Sequence, residues 1–326
     1  MTCAPKVSVV LPTYNRAHFL LEAVQSVLVQ TAGDLELIVV DDGSTDGTAH
    51  VLREINDPRL RYLHQENRGV AAAANAGIRL SRGAYIARID SDDLWLPELI
   101  ETEMAVLDAR PEVGVVSAKG EAMDRDGNRL PYSWGRAPRF PDEALHSLLH
   151  GDFVCNVTMI ARRACIERAG LYDESLRVCE DWDLWLRVAR HYQFAFVDRV
   201  LARVRRHEGN LTGRGSPFYE SSLLGRTRVL DKVFGVLDQE QSKPLRHLKG
   251  IAYRNVFIEA CLHFLGAADY RNAVEAFRRA LGCGANPVTT SFRIVGSALV
   301  WYVIGRQACK RHVLRLRGWL MGKRDD

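Results

Sequence analysis

Residues 35–40 (LELIVV) are an apolar run of strand length, and residues 41–47 (DDGSTDG) follow without a break. The same pattern occurs at residues 7–11 (VSVVL), which lead into the polar stretch 12–16 (PTYNR). Apart from Glu36 and Ser8 both stretches consist of Val, Ile and Leu. Strands of this composition are typical of a parallel sheet that helices cover on both faces. The chain is therefore expected to begin with an α/β fold.

Helical and strand patterns alternate around these two segments. Helices are predicted at 19–30, 48–55 and 70–80, and further strands at 59–63 and 85–89. This βαβα order predicts a mostly parallel, Rossmann-like sheet flanked by helices. Ligands of such sheets bind beyond the carboxyl ends of the strands, so the residues after each strand are candidates for chemistry.

The fourth predicted strand ends in Asp90-Ser91-Asp92-Asp93, three carboxylates within four residues. Carboxylates this close raise one another's pKa values unless a cation lies among them. Oxygen ligands suit Mg²⁺ or Mn²⁺, which complete their coordination with water and substrate phosphates. We therefore expect a divalent metal at this strand end. The polar residues 44–46 are explained equally well as turn and N-cap residues.

The stretch 180–187 (EDWDLWLR) is predicted to begin a helix. Trp182 and Trp185 fall on one helical stripe, which is expected to be core. Glu180 and Asp181 fall in the first turn, where the helix dipole favours carboxylates. A structural and a catalytic role are both open for these two acids.

The elements around this helix are shorter. A β-rich run is predicted at 154–160, a short helix at 162–169 and a strand at 194–197. A turn at His207 follows, and a lone histidine is most often a surface or packed residue.

The charge of the chain is unevenly distributed. Its 326 residues include 44 Lys or Arg and 40 Asp or Glu, with 47% hydrophobic residues, as in soluble globular proteins. Residues 276–326 hold ten Lys or Arg and two Asp, a net charge of +8, which leaves −4 for residues 1–275. The larger part of the chain is therefore not expected to bind polyanions, and nucleic acid is not an expected partner.

Cysteine usage and hydropathy favour a cytoplasmic protein. The seven cysteines are scattered and never spaced as C-x-x-C, which is typical of a reducing compartment. No basic segment followed by an apolar one begins the chain, so no secretory signal is predicted. The longest apolar stretch, residues 294–304, falls far short of the roughly 20 residues that span a bilayer.

Together, these motifs resemble those of the family 2 glycosyltransferases of the GT-A fold. The resemblance covers residues 6–212 and rests on stretches that occur in the family's order. They are VSVVLPTYNR (7–16), LELIVVDDGSTDGT (35–48), NRGVAAAANAGI (67–78), ARIDSDDLW (87–95), EDWDLWLR (180–187) and VRRHEGNLT (204–212). The resemblance implies inverting transfer of a sugar from a nucleotide-diphosphate donor, foremost a UDP-sugar, to an acceptor hydroxyl. It places a catalytic domain at 1–212 and a helical region at 213–326.

The resemblance also implies which residues bind the donor. They are Pro12, Thr13, Tyr14, Asp42, Arg68, Asn75, Asp90 and Ser91. Pro12, Thr13 and Tyr14 would line the base and ribose pocket, Asp42 would hydrogen-bond the base, and Asp90 would approach the ribose. Many relatives carry Arg or Lys where this chain has Ala74, and Arg68 is the candidate to replace that contact.

Metal and catalytic roles follow in the same way. The implied ligands of Mn²⁺ or Mg²⁺ are Asp92, Asp90, Asp93 and His207. Asp181 matches the family's general base, and the attacking hydroxyl does need a carboxylate opposite the leaving diphosphate. Glu180 would bind the acceptor or orient Asp181.

The last hundred residues are predicted to be helical. Residues 253–265 and 268–281 resemble one tetratricopeptide-type helical pair. A peptide-binding array needs about three such units, so this pair is expected to pack against the catalytic domain. Residues 291–323 combine apolar residues with the basic cluster and predict an amphipathic helix on an anionic membrane surface. A packed helix with a solvated basic face is the alternative.

These observations predict a metal-dependent glycosyltransferase that builds a bacterial surface glycan on a glycan or lipid-linked acceptor, peripherally at the inner face of the plasma membrane. The Q-x-x-R-W motif of processive synthases is absent, which favours single addition. One alternative is a non-catalytic nucleotide-sugar-binding or scaffold protein, against which Asp92 and Asp181 argue. The other is a nucleotidyltransferase, which would need a Gly- and Lys-rich phosphate loop, and residues 13–18 contain no glycine.

Overall fold

The computed structural model describes residues 4–140, 142–210, 219–239, 248–266 and 269–284. The chain divides into two compact units, Met1–Gly213 and Arg214–Asp326. None of the described helices is long and apolar enough to cross a membrane. The predicted amphipathic segment 291–323 lies outside the described residues.

One mixed sheet organises the first unit. Within the described residues its strands are β1 (Val7–Thr13), β2 (Leu35–Asp41), β3 (Leu60–His64), β4 (Tyr85–Arg88), β5 (Leu94–Trp95), β6 (Val113–Met123), β7 (Arg129–Trp134), β8 (Ile160–Arg162) and β9 (Gln193–Arg205). Their order is β3-β2-β1-β4-β8-β6-β9-β5, with β7 beside β6.

The predicted parallel order is confirmed for the first half of the sheet, since β3, β2, β1 and β4 are parallel neighbours. The second half is mixed. β6 and β9 are parallel, whereas β8 runs antiparallel to β4 and β6, β7 to β6, and β5 to β9. Antiparallel neighbours need no crossover helix, and the short turn 124–128 suffices to join β6 to β7.

Helices cover the sheet, and the predicted ones in this unit are confirmed with ends shifted by a few residues. They are α1 (Ala17–Leu28), α2 (Thr48–Arg53), α3 (Val70–Leu80), α4 (Leu99–Ala109), α5 (Ala144–His150), α6 (Arg163–Ala169) and α7 (Glu180–Val188). A core of buried aliphatic side chains fills the space between the sheet and α1 and α4. Helix α3 approaches β1 closely at Gly77, where a Cβ atom would overlap Val10 Cγ1.

Two strand predictions were wrong in extent. The run 154–160 contains a 3-10 turn, Asn156–Thr158, and strand β8 begins only at Ile160. Thr158 Oγ1 accepts from Ala118 N and donates to Ala118 O, and Trp95 Nε1 donates to Val157 O. Side-chain hydrogen bonds therefore take the place of backbone bonds between strands there. The strand predicted at 194–197 is much longer, because β9 continues to Arg205 beside β6.

The second unit is helical where it is described. Its helices are α8 (Tyr219–Gln239), α9 (Leu248–Gly266) and α10 (Tyr270–Gly282). The predicted pair is confirmed, since α9 and α10 pack together through small and aromatic side chains such as Phe264, Ala273 and Ala276. Asp269 caps α10 by accepting a hydrogen bond from Asn272 N at 3.1 Å.

Candidate active site

The loops after β1 and β2 are tied together at the carboxyl edge of the sheet. Asn15 has a left-handed backbone (φ 51°), and its N donates to Ser44 Oγ at 2.9 Å. Its Oδ1 accepts from Thr45 N at 2.8 Å. Asp42 N donates to Thr13 O at 2.9 Å. The segments predicted to hold the nucleotide therefore lie side by side.

The residues at the end of β1 differ in exposure. Pro12 and Thr13 are buried, and Thr13 Oγ1 has no hydrogen-bond partner among the described residues. Tyr14 is 46% exposed. A buried hydroxyl beside an exposed ring suits a polar ligand with a flat face, and the assignment of these residues to the base and ribose stays a prediction.

Asp42 shapes the loop after β3. Its Oδ1 accepts from Gln65 Nε2 at 2.7 Å and Arg68 N at 3.0 Å, and its Oδ2 accepts from Gly69 N at 2.7 Å. A carboxylate has about four acceptor positions. Three are taken by the protein, which leaves room for one hydrogen bond from a nucleotide base.

Asn75 has a different task from the predicted contact with the donor. It is 1% exposed, and its Nδ2 donates to Tyr172 O at 2.9 Å and Glu174 Oε1 at 3.0 Å. Its Oδ1 accepts from Tyr172 N at 2.9 Å. Arg68 also pairs with Glu174, at 2.7 Å. With its amide used in this way, Asn75 holds the loop that precedes α7, and these bonds give no support to its predicted contact with the donor.

Arg88, at the end of β4, connects two of the predicted motifs. Its Nη2 donates to Asp90 Oδ1 at 3.1 Å and its Nη1 donates to Glu180 Oε1 at 3.2 Å. Its guanidinium lies 5.4 Å from the centre of the Tyr172 ring. Arg88 is 4% exposed. Sequence reasoning missed this residue, although an arginine inside a buried strand signals a buried ionic partner.

Helix α7 begins directly at the two predicted acids. Cys179 has a left-handed backbone (φ 62°) that turns the chain into the helix. Glu180 is 7% exposed, and its burial, then the charge of Asp181, raise its pKa to about 7 against the opposing effect of Arg88. Such a buried group can orient Asp181 but does not reach an acceptor from solvent.

Asp181 is half-buried, and its Oδ1 accepts from Trp182 N at 2.7 Å. Asp183 is fully buried and pairs with Arg187 at 2.8 Å. It therefore lies away from the site. The expected core positions Trp182 and Trp185 are buried.

The side chains of Asp92 and His207 lie within hydrogen-bond distance of each other. His207 Nε2 lies 2.9 Å from Asp92 Oδ2, and Asn210 Nδ2 lies 3.4 Å from the same oxygen. Arg16 Nε lies 3.6 Å from it. Gly209 N donates to His207 Nδ1 at 3.1 Å, so Nε2 carries the proton in this arrangement. A side-chain pair separated by 115 residues is thus assembled by the turn after β9.

Two of the four predicted metal ligands each have one oxygen engaged by the protein. Asp93 is buried, and its Oδ1 accepts from Arg205 N at 2.8 Å. Its burial, then the charges of Asp92 and Asp90, raise its pKa well above the ordinary value. Asp90 Oδ1 is taken by Arg88. The backbone of strand β9 thus binds Asp93, and the buried Arg88 guanidinium binds Asp90.

The remaining pair fits a divalent metal in part. Among the described residues no three His, Cys, Asp or Glu side chains are arranged to hold a metal ion. Asp92 offers one oxygen, and His207 Nε2 offers one nitrogen once the ring proton has moved to Nδ1 and the bond from Gly209 N is given up; Mn²⁺ accepts both ligand types. Such an ion keeps several water or phosphate ligands, so two protein ligands are sufficient for a site completed by a diphosphate.

Arg205 fixes the backbone around this pair and was also missed by sequence reasoning. It is 2% exposed, and its Nε donates to Asp92 O at 3.0 Å and its Nη2 to Glu22 Oε2 at 2.6 Å. Its guanidinium lies 4.6 Å from the centre of the Phe19 ring. Ser91, which is predicted to bind the sugar donor, lies between Asp90 and Asp92 in the chain and is 6% exposed.

Comparison with known proteins finds relatives in sequence. The family model for glycosyl transferase family 2 matches residues 8–169. An uncharacterized glycosyltransferase of Rickettsia prowazekii is 33% identical over 330 residues, covering 98% of both chains. Chondroitin synthase of Escherichia coli is 33% identical over 201 residues, which are 60% of this chain and 28% of that protein.

Solved structures share the fold. S. aureus TarS 1-349 in complex with UDP-GlcNAc matches with a TM-score of 0.56 and 20% identity, over 84% of this chain and 92% of that one. The mannosyltransferase PcManGT from Pyrobaculum calidifontis, in complex with GDP-Man and Mn²⁺, matches with a TM-score of 0.58 and 21% identity, over 96% and 85%. At these identities the likeness concerns the fold alone.

Proposed function

Because the chain belongs to glycosyltransferase family 2 and has a GT-A fold, we propose that it moves a sugar from a UDP-sugar to an acceptor hydroxyl with inversion at the anomeric carbon. The proposed acceptor is a bacterial surface glycan, free or lipid-linked, at the cytoplasmic face of the membrane. The observation that carries the proposal is Arg88, whose guanidinium joins Asp90 after β4 to Glu180 at the start of α7. The carboxylate that follows β4 and the carboxyl that begins α7 are thus joined through one cation.

The crevice after β1 and β2 would take the nucleotide. Thr13 Oγ1, a buried hydroxyl with no hydrogen-bond partner among the described residues, and the remaining acceptor position of Asp42 lie there, and Tyr14 offers an exposed ring. Two proteins of the same fold were solved with UDP-GlcNAc and with GDP-Man. A nucleotide-diphosphate donor is therefore the class of substrate that we propose.

Asp181 would act as the general base. The acceptor oxygen forms a bond to the anomeric carbon while the bond from that carbon to the diphosphate breaks, and the acceptor proton passes to the Asp181 carboxylate. Glu180, held by Arg88, fixes the first turn of α7 and with it the position of Asp181. The buried Trp182 and Trp185 anchor the same helix in the core.

Asp92 and His207 would hold the divalent metal in this proposal. A Mn²⁺ or Mg²⁺ ion bound there would supply positive charge to the leaving diphosphate. The protein keeps the two ligands in place by long-range contacts: Arg205 Nε binds Asp92 O, and Asn210 Oδ1 accepts from His207 N at 2.7 Å.

The proposal is tested by donor hydrolysis with a panel of UDP- and GDP-sugars and Mn²⁺. Asp181→Asn keeps the shape of the side chain but cannot take the proton, so we expect hydrolysis to fall about 10²- to 10⁴-fold while UDP affinity is unchanged. Glu208→Gln, which changes an exposed acid next to His207, is the matched control and should retain full activity.

Two results would count against the proposal. Undiminished hydrolysis by Asp181→Asn removes this residue as the base. Failure of the wild-type protein to bind either UDP or GDP in the presence of Mn²⁺ removes the proposed nucleotide-sugar donor altogether.

A further inference from the structure

Arg16 lies between the candidate metal ligand Asp92 and the turn that carries His207. Its Nε is 3.6 Å from Asp92 Oδ2, and its Nη2 donates to Gly209 O at 2.7 Å. Its Nη1 donates to Asn15 O at 3.3 Å. The side chain of Arg16 is 24% exposed and that of Asp92 is 14% exposed. A positive charge therefore already stands beside the carboxylate that a metal would use.

We propose that Arg16 makes metal binding at Asp92 and His207 conditional on the diphosphate of the donor. This inference rests on the proposed function. Two cations at one partly buried carboxylate repel each other, because charges a few Å apart interact by several kcal/mol at an effective dielectric constant of about 20. Without a nucleotide, the guanidinium disfavours the metal.

A bound diphosphate removes the repulsion between the Arg16 guanidinium and the metal. Its negative charges compensate both cations, and the planar fork of an arginine matches phosphate oxygens. The Asp92 contact of Arg16 is long for an ion pair, and its shorter hydrogen bonds go to backbone carbonyls. Two of the five N–H groups of the guanidinium hold these carbonyls, so the Nε–H and the other two N–H groups can bind a diphosphate while the loop contacts are kept.

The neighbouring arginines are not suited to this task. Arg205 is 2% exposed and engaged by Glu22 and by two backbone carbonyls. Arg88 is 4% exposed and held by Asp90 and Glu180. Arg16 is the more exposed of the three and the one whose guanidinium contacts the Asp92 carboxylate.

The proposal is tested by measuring free Mn²⁺ by electron paramagnetic resonance in titrations with and without UDP, repeated with GDP. Without nucleotide, we expect Arg16→Gln to bind Mn²⁺ at least about tenfold more tightly than the wild type, because a repulsive charge is gone. UDP should tighten Mn²⁺ binding on the order of 100-fold in the wild type and less than about tenfold in Arg16→Gln.

Two variants serve as controls. Arg16→Lys keeps the charge, so its nucleotide-free Mn²⁺ affinity should stay close to that of the wild type. Arg110→Gln lowers the net charge equally at the C-terminus of α4, where Arg110 pairs with Glu112, and should change neither titration. Thermal unfolding of each variant verifies that it is folded.

The outcomes are distinguishable from those of the proposed function. Unchanged or weaker nucleotide-free Mn²⁺ binding by Arg16→Gln overturns the role of Arg16, since a purely structural residue would act in that direction. A wild-type Mn²⁺ affinity that does not respond to a nucleotide which does bind also overturns it. If neither UDP nor GDP binds, the proposed function fails, and with it the conditional role.

Discussion

Glu180 is a buried carboxyl whose ionisation costs folding stability. Its pKa is raised to about 7 by burial, so the folded protein holds this proton at pH values where the unfolded chain, with an ordinary pKa near 4.5, has lost it. The stability due to protonated Glu180 is complete below pH 4.5 and is lost as the pH rises through about 7.

This loss predicts how Glu180→Gln behaves. The amide has no proton to lose, so between pH 5 and pH 8 the free energy of unfolding of the wild type should fall by about 3 kcal/mol relative to the variant. Urea unfolding of both proteins across this range measures the difference. The raised pKa of Asp93 acts equally in both and cancels. Parallel stability curves would show that Glu180 does not titrate in this range.

At the residue scale, the sequence indicated which acidic residues belong to the candidate site but not which cationic side chains pair with them. Asp92 and His207 were both candidates, and their 2.9 Å contact is found. Arg16 and Arg88 were not candidates, because their partners lie up to 193 residues away and only the folded sheet brings them together. The short spacing of Asp90 and Asp93 suggested shared ligation, but Asp90 Oδ1 pairs with Arg88 and Asp93 Oδ1 accepts from Arg205 N in the folded chain.

At the element scale, helix α3 and strand β1 are close because position 77 lacks a side chain. A Cβ atom at Gly77 would overlap Val10 Cγ1. We predict that Gly77→Ala lowers the free energy of unfolding by about 1–3 kcal/mol, since the packing clash exceeds the gain in helix propensity.

Gly235 is the matched control for this substitution. It also lies within a helix, α8, but nothing stands within 4 Å of a Cβ atom there. Gly235→Ala should therefore raise stability by about 0.5–1 kcal/mol. Denaturant unfolding of both variants checks the pair, and equal effects of the same sign would contradict the packing argument.

The parallel half of the sheet was predictable because its strands alternate with helices of clear periodicity. The antiparallel half was not, since the apolar run 154–160 has strand composition yet contains the turn Asn156–Thr158. Bonds from Thr158 and Trp95 to distant backbone groups favour the turn. Local composition does not encode these bonds.

At the scale of the whole molecule, charge separates the chain into a mildly acidic part and a basic end. Of the ten Lys or Arg in residues 276–326, eight lie beyond Gly284. Each basic residue near an anionic bilayer contributes about 1 kcal/mol of attraction. The hypothesis of a membrane-bound end stays a prediction about residues outside the described ranges.

Truncation after Gly284 tests this hypothesis. We expect the truncated protein to lose sedimentation with phosphatidylglycerol vesicles while donor hydrolysis is retained, because the candidate catalytic residues all precede Thr212. Phosphatidylcholine vesicles, which lack net charge, are the control and should bind neither protein. Unchanged binding of the truncated protein to anionic vesicles would exclude the basic end as a membrane contact.

The Arg88 guanidinium that Asp90 and Glu180 share also links the changes that this chain can tolerate at positions 88, 90 and 180. If position 88 becomes neutral in a lineage, the buried acid at 180 loses its counter-ion, and selection then favours a neutral residue there as well. The three positions should be inherited as a unit. A chimera that exchanges the strand β4 segment between relatives must therefore exchange the beginning of helix α7 along with it.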